Sequence, residues 1–183
     1  MRPDVTQFLA RARDGDPDAL DQLVPLVYDE LRVLARRQRQ KRGAEATLNT
    51  TALVHEAYER MAGTQPDFAD RQHFFRVASR VMRSVIVDRA RAQSAQKRGG
   101  PGRPAMLDEE RLVPPERADE VVALDEALDR LAELSERQAE VVQLRYFVGL
   151  TIPEAADVLG VSEATVKREW TVARAWLHDA LAA

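Results

Sequence analysis

T-I-P-E-A-A-D-V-L-G-V-S-E-A-T-V-K-R-E-W-T-V-A-R-A-W, residues 151–176, spells two short helices joined by a tight turn. Thr151 with Glu154 three residues on has the spacing of a capping box, and Pro153 sits in the first turn, where a missing N–H costs little. Gly160 ends this helix. Ser162 caps the next, whose Val166, Trp170, Ala173 and Leu177 recur at helical spacing and must face a core. The opposite face carries Glu163, Ala164, Lys167, Arg168 and Thr171. Short and basic side chains at the exposed N-terminal end of a second helix are what a helix-turn-helix sets against base edges. The plainer alternative is a helical hairpin with a solvated charged face. Two capped ends, the turn glycine and a small residue, Ala156, at the point where the helices approach all count against it.

Composition narrows the remaining classes. With 45% apolar and 31% charged residues over 183 positions, the chain has a globular profile and room for one or two domains. Its apolar runs are far too short for a bilayer span, and Met1-Arg2-Pro3-Asp4 opens with charge rather than a signal peptide, so a cytoplasmic location is expected. The chain contains no cysteine, which excludes disulfides and a thiol switch. Its histidines, His55, His73 and His178, are too scattered for standard metal spacing, so neither metal nor other cofactor is expected. His55-Glu56 opens like a zinc-protease motif, but Glu59 stands where the second histidine must be, and no catalytic residue is expected.

The formal charge of -3 conceals a segregation. Between Arg71 and Arg98 there are eight basic residues and one acidic; between Asp108 and Glu140 there are four basic and twelve acidic. One segment attracts phosphate and the other repels it.

In chain order, Val5, Phe8, Leu9 and Ala12 form a first helical stripe closed by Asp14-Gly15. Asp16 and Pro17 start a second helix carrying Leu20, Leu23, Val24, Val27, Leu31 and Leu34, with Pro25 as a kink and arginines at its end. A third helix is expected from Thr50 to Met61, with Leu53, Val54, Ala57, Tyr58 and Met61 inward, His55, Glu56, Glu59 and Arg60 outward, and Gly63 as its stop. After a loop, G-T-Q-P-D-F-A-D, Asp70 caps a long helix buried through Phe74, Ala78, Val81, Met82, Val85 and Ile86. Arg76, Arg80 and Arg83 then line a face away from that stripe, which favours a polyanion partner over a solvated face. Phe68 in the loop either stacks on an unpaired base or tucks into the core.

Gly99-Gly100-Pro101-Gly102 and Pro114-Pro115 break every pattern. The fold expected is therefore all-α: two small helical domains, 1–98 and 120–183, joined by a flexible linker over 99–119, the second containing the helix-turn-helix. In that second domain Val121, Val122, Leu124, Leu128, Leu131 and Leu134 make one helix. Ser135 with Gln138 caps another that runs through Val141, Val142, Leu144 and Tyr146 to Gly149, and Trp170 and Trp176 are expected to supply much of the buried area.

The chain resembles a bacterial RNA polymerase sigma factor of the extracytoplasmic function (ECF) type over nearly its whole length. G-D-P-D-A-L-D-Q-L, residues 15–23, is similar to the family's first promoter-domain helix pair. L-V-H-E-A-Y-E-R, residues 53–60, is similar to its core-polymerase-binding helix, and V-D-R-A-R-A, residues 87–92, to the end of its minus 10 reading helix. The segment from Leu134 to Arg168 resembles the family's fourth region almost position by position. Two places depart from the pattern: His55 precedes Glu56 where an aspartate or glutamine is usual, and His73-Phe74-Phe75 stands where a tryptophan region is usual.

The resemblance implies a factor that binds RNA polymerase core and directs promoter-specific initiation, with promoter DNA and core as partners and an anti-sigma factor or other regulator as a further one. It assigns minus 35 contacts to Ser162, Glu163, Thr165, Lys167, Arg168, Thr171 and Arg174. Minus 10 contacts fall to Gln65, Asp67, Phe68, His73, Arg76, Arg80 and Arg83, and core binding to His55, Glu56, Glu59 and Arg60. A one-component regulator, dimerising or sensing a ligand through its N-terminal helices, is the alternative. It would need a self-complementary apolar surface where this chain has a cationic helix face.

Overall fold

The computed structural model describes residues 50–64, 69–98 and 117–182, together with Arg11, Asp14 and Asp16. Six α-helices and one π-helical turn make up these residues, and no strand occurs among them. The helices are α1 (Thr50–Thr64), α2 (Arg71–Arg98), α3 (Ala118–Leu134), α4 (Glu136–Gln143), α5 (Ile152–Leu159) and α6 (Glu163–Ala182), with the π turn at Leu144–Val148 between α4 and α5. The two helices expected before residue 49 and the linker positions 99–116 lie outside the described residues. At the three isolated positions, Arg11 is helical and its guanidinium grips the Asp16 carboxylate at 2.6 Å.

Of the expected inward positions on helix α1, Leu53, Ala57 and Met61 are buried and Tyr58 is half-buried. It runs on through Gly63 to Thr64 rather than stopping at the glycine. One glycine costs a helix only about 1 kcal/mol, too little to end it without a further breaker.

Asp70 caps α2 as expected, its Oδ1 accepting the His73 backbone N–H at 2.6 Å. Burial on this helix is wider than one stripe. Phe75, Val87 and Ala90 are buried along with Phe74, Ala78, Met82, Val85 and Ile86, whereas Val81 is only half-buried. The reason is that α2 has partners on two sides, α1 on one and α3, α5 and the π turn on the others. A helix clasped in this way loses the single apolar stripe of a surface helix. Phe74 and Phe75 meet edge to face at 5.3 Å, and the Arg71 guanidinium lies 4.8 Å over the Phe75 ring.

Ser135 closes α3 and opens α4, its hydroxyl accepting the Gln138 N–H at 3.4 Å. The helix expected to continue to Gly149 instead widens into the π turn, and Gly149, at φ 86°, ends it in the left-handed region. This extra residue per turn has no signature in the apolar spacing, because Leu144, Phe147 and Val148 are all buried. The large side chains fully buried in this half include Leu128, Leu131, Val141, Val142, Leu144 and Val148. Trp170 and Trp176 pack against that core but are only half-buried, so they do not dominate it. Each ring keeps a face for an arginine, Arg145 at 4.3 Å from Trp170 and Arg130 at 5.8 Å from Trp176.

The joint between α5 and α6 follows its sequence closely. Thr151 and Glu154 form the reciprocal capping box, with the Thr151 N–H donating to Glu154 Oε2 at 2.8 Å. Gly160 takes φ 64°, and the bonds Gly160 N–H to Asp157 O and Val161 N–H to Ala156 O complete a Schellman motif. Val166, Ala173 and Leu177 face inward from α6.

Candidate nucleic-acid interface

The N-terminal turns of α6 offer the most open polar surface of the candidate sites. Ser162 Oγ accepts the Thr165 N–H at 3.1 Å, which fixes the helix start and leaves the serine exposed. Because Val166 and Ala173 are fully buried, the same helix must turn Glu163, Ala164, Lys167, Arg168, Thr171 and Arg174 to solvent. Lys167 and Arg168 keep 61% and 70% of their side-chain area exposed, with only loose carboxylate neighbours, Glu163 at 3.8 Å and Glu169 at 3.4 Å. Thr165 is half-buried, and the Thr171 hydroxyl donates back to the Lys167 carbonyl at 2.9 Å. Behind this face, Glu169 accepts from Gln138 Nε2 at 3.0 Å and ties α6 to α4. Burial, and secondarily the like charge of Arg174, holds the Arg145 guanidinium below its ordinary value. The Trp170 ring face offsets part of that cost.

The arginine face of α2 is not open. Arg83 was expected on an exposed stripe, yet only 13% of its side chain is accessible. Its Nε donates to Asp125 Oδ1 at 2.7 Å, and Nη2 donates to the Asp125 carbonyl at 2.9 Å and to Asp129 Oδ1 at 2.6 Å. Arg91 takes the other Asp125 oxygen at 2.9 Å. Arg76 is half-buried against the end of α5, its Nη2 reaching the Val158 carbonyl at 3.4 Å. Arg80 remains 64% exposed, 3.9 Å from Glu140. The physical reason is the charge segregation itself, since the acidic helix α3 is the nearest partner for a cationic helix joined to it in one chain. Arg71 and Arg91, within the basic run, join in these contacts, as do Gln72, Ser94, Asp119, Asp125 and Asp157, which the sequence does not single out. The opposed charge runs were the available signal. His73 sits exposed at the start of α2, its Nδ1 accepting the Ala69 N–H at 3.2 Å. Gln65, Asp67 and Phe68 lie outside the described residues.

On α1 the four outward residues separate into two kinds. His55 and Glu59 are about two-thirds exposed and lie 3.2 Å apart. Glu56 is 21% exposed and accepts from Arg60 at 3.0 Å and from Arg89 at 2.9 Å. Arg60 also reaches Asp88 at 2.7 Å and Ser84 at 3.0 Å. The hydrogen bond to Asp88, aided by Glu56, holds the Arg60 guanidinium above its ordinary value despite partial burial. Thus Glu56 and Arg60 fasten α1 to α2, whereas His55 and Glu59 stay exposed and contact each other.

No group of histidine, aspartate and glutamate side chains among the described residues could hold a metal ion. No helix among them is long and apolar enough to cross a membrane. Comparison with protein-family models matches residues 2–183 to the family described as ECF sigma factor. Comparison with curated proteins gives no match.

Proposed function

The chain belongs to the ECF sigma factors, which bind RNA polymerase core and direct promoter-specific transcription initiation, and from that premise we propose how its surfaces divide the work. RNA polymerase core and promoter DNA are the partners, with anti-sigma factors frequent in the family. In this reading α5 and α6 act as a helix-turn-helix that sets the first turns of α6 into the major groove at minus 35. Ser162, Glu163, Thr165, Lys167, Arg168, Thr171 and Arg174 supply the contacts. The loop before α2, with Gln65, Asp67 and Phe68, selects unpaired minus 10 bases, while His73, Arg76, Arg80 and Arg83 grip the strand's backbone. His55 and Glu59 meet the polymerase directly, and Glu56 and Arg60 hold α1 in the orientation that presents them. The protein works in the cytoplasm, in two domains joined by a linker, and leaves catalysis to the polymerase.

The observation that carries the minus 35 assignment is the exposure of Lys167 and Arg168 on a helix whose opposite side is sealed by Val166 and Ala173. Lys167→Ala with Arg168→Ala should weaken holoenzyme binding to its promoter by about tenfold or more, as loss of one or two base or phosphate contacts does. The melting temperature should stay unchanged, because neither side chain is packed. Equal promoter affinity in electrophoretic shifts at moderate salt would show that α6 is docked wrongly.

A further inference from the structure

An open cleft of about 420 Å³ lies where α2, α3 and the end of α4 meet. Its middle is occupied by Arg83 and Asp125, which spend their charges on each other and are nearly enclosed. At one end Arg91 holds the second Asp125 oxygen and Asp88 is held by Arg60, so little bonding capacity is left there. The other end is different. Arg80 is 64% exposed, and its nearest carboxylate, Glu140, stands 3.9 Å away, too far for a hydrogen bond. Asp129 is 70% exposed and gives Oδ1 to Arg83, while no bond among the described residues uses its Oδ2. Arg80 precedes Arg83 on α2 by about 4.5 Å along the axis, which sets the two open charges at the same end. Gln143 lines the cleft too. It is only 9% exposed, and its carboxamide makes no hydrogen bond among the described residues. A buried amide without a partner is costly, and folded proteins keep few of them.

We propose that this end of the cleft is a binding site for a free α-amino acid: the carboxylate pairs with Arg80, the ammonium with Asp129, and a polar side chain with the Gln143 carboxamide. The charges of the lining select this class. Arginines and aspartates balance there, three against three. A simple anion on Arg80 would lie against the Asp129 carboxylate, and a simple cation on Asp129 would lie against two guanidiniums. The carboxylates also do not gather into a metal site. A zwitterion brings both signs to the two open charges and adds no net charge to the cleft. Charged partners on both sides make these hydrogen bonds the strong kind. Gln143 offers two N–H donors and one carbonyl acceptor. A ligand carboxamide meets both reciprocally, whereas an aliphatic side chain leaves the buried amide as it was. Few atoms and an open cleft set a modest affinity, about 1 mM.

The test titrates the isotope-labelled full chain with L-glutamine and follows its N–H signals by nuclear magnetic resonance. The Gln143 side-chain pair should shift along a saturable curve with a midpoint of about 1 mM. N-acetyl-L-glutamine lacks the ammonium and L-glutaminamide lacks the carboxylate, and each should bind at least about fivefold more weakly, as should L-leucine. Arg80→Ala and Asp129→Ala change exposed side chains, so the fold persists, and each should weaken L-glutamine by a similar factor. N-acetyl-L-glutamine should bind Asp129→Ala no more weakly than the parent chain, because it never used that carboxylate. A mere disturbance of the cleft would weaken both ligands alike. Gln143→Leu should abolish the preference for L-glutamine over L-leucine; if that buried change unfolds the chain, the ligand series on the parent still decides. No saturable shift with L-glutamine up to about 10 mM overturns the site. Equal affinity for L-glutamine and its two blocked derivatives, or parental affinity when Arg80→Ala and Asp129→Ala are combined, overturns it as well.

Discussion

Glu56 accepts from Arg60 on its own helix and from Arg89 on α2, so its carboxylate is a tie between elements as well as a charge on a surface. Glu56→Ala should therefore lower stability, by about 1 kcal/mol given that Arg89 is more than half exposed and its pairing is weakened by solvent. His55→Ala and Glu59→Ala, at exposed positions, should leave the melting curve within about 0.5 kcal/mol of the parent and act only on polymerase association. A Glu56→Ala chain that melts like the parent would remove the tie. A weaker core affinity in that variant can be credited to direct contact only after this comparison. The sequence made all four residues legible as the polar side of α1, because helical spacing separates inward from outward. It could not show that Arg89, far along the chain, claims one of them, since spacing says nothing of what lies across an interface.

At the scale of elements, the clearest readings were those fixed by local chemistry. The capping box at Thr151, the caps at Asp70, Ser135 and Ser162, and the left-handed glycine at 160 are each set by residues within one turn. The π turn after α4 was not legible, because a bulge that keeps its apolar residues buried leaves the hydrophobic pattern intact. Nor was the two-sided burial of α2, which depends on helices that arrive from both directions in the chain. Gly160 supplies a clean test of the joint. A methyl group there would meet nothing within 4 Å, so the cost of Gly160→Ala is the left-handed backbone alone. Thermal unfolding should show a loss of about 1 to 2 kcal/mol. A neutral substitution would mean that the turn relaxes to another conformation without disturbing α6.

Across the whole molecule, the charge runs that suggested a nucleic-acid partner turn out to meet each other first. Their pairs differ in shelter. Arg83 and Asp125 are nearly enclosed, whereas Arg71 pairs with an Asp157 that is 65% exposed and Arg80 lies 3.9 Å from Glu140. Raising salt from about 0.1 to 1 M shortens the screening distance from about 10 Å to about 3 Å and acts mainly on the exposed pairs. Amide hydrogen exchange in the last turn of α5 should therefore accelerate before exchange in α3 near Asp125. Equal acceleration at both places would mean that the two halves part as one unit. The cover on α2 also bears on how the protein spends its time in a cell. Genomic DNA offers a vast excess of wrong sequence to any exposed cationic helix, and binding there is driven by the counterions released from phosphate. Cations already neutralised by the chain's own carboxylates release few counterions, so α2 offers bulk DNA less than its sequence charge alone suggests.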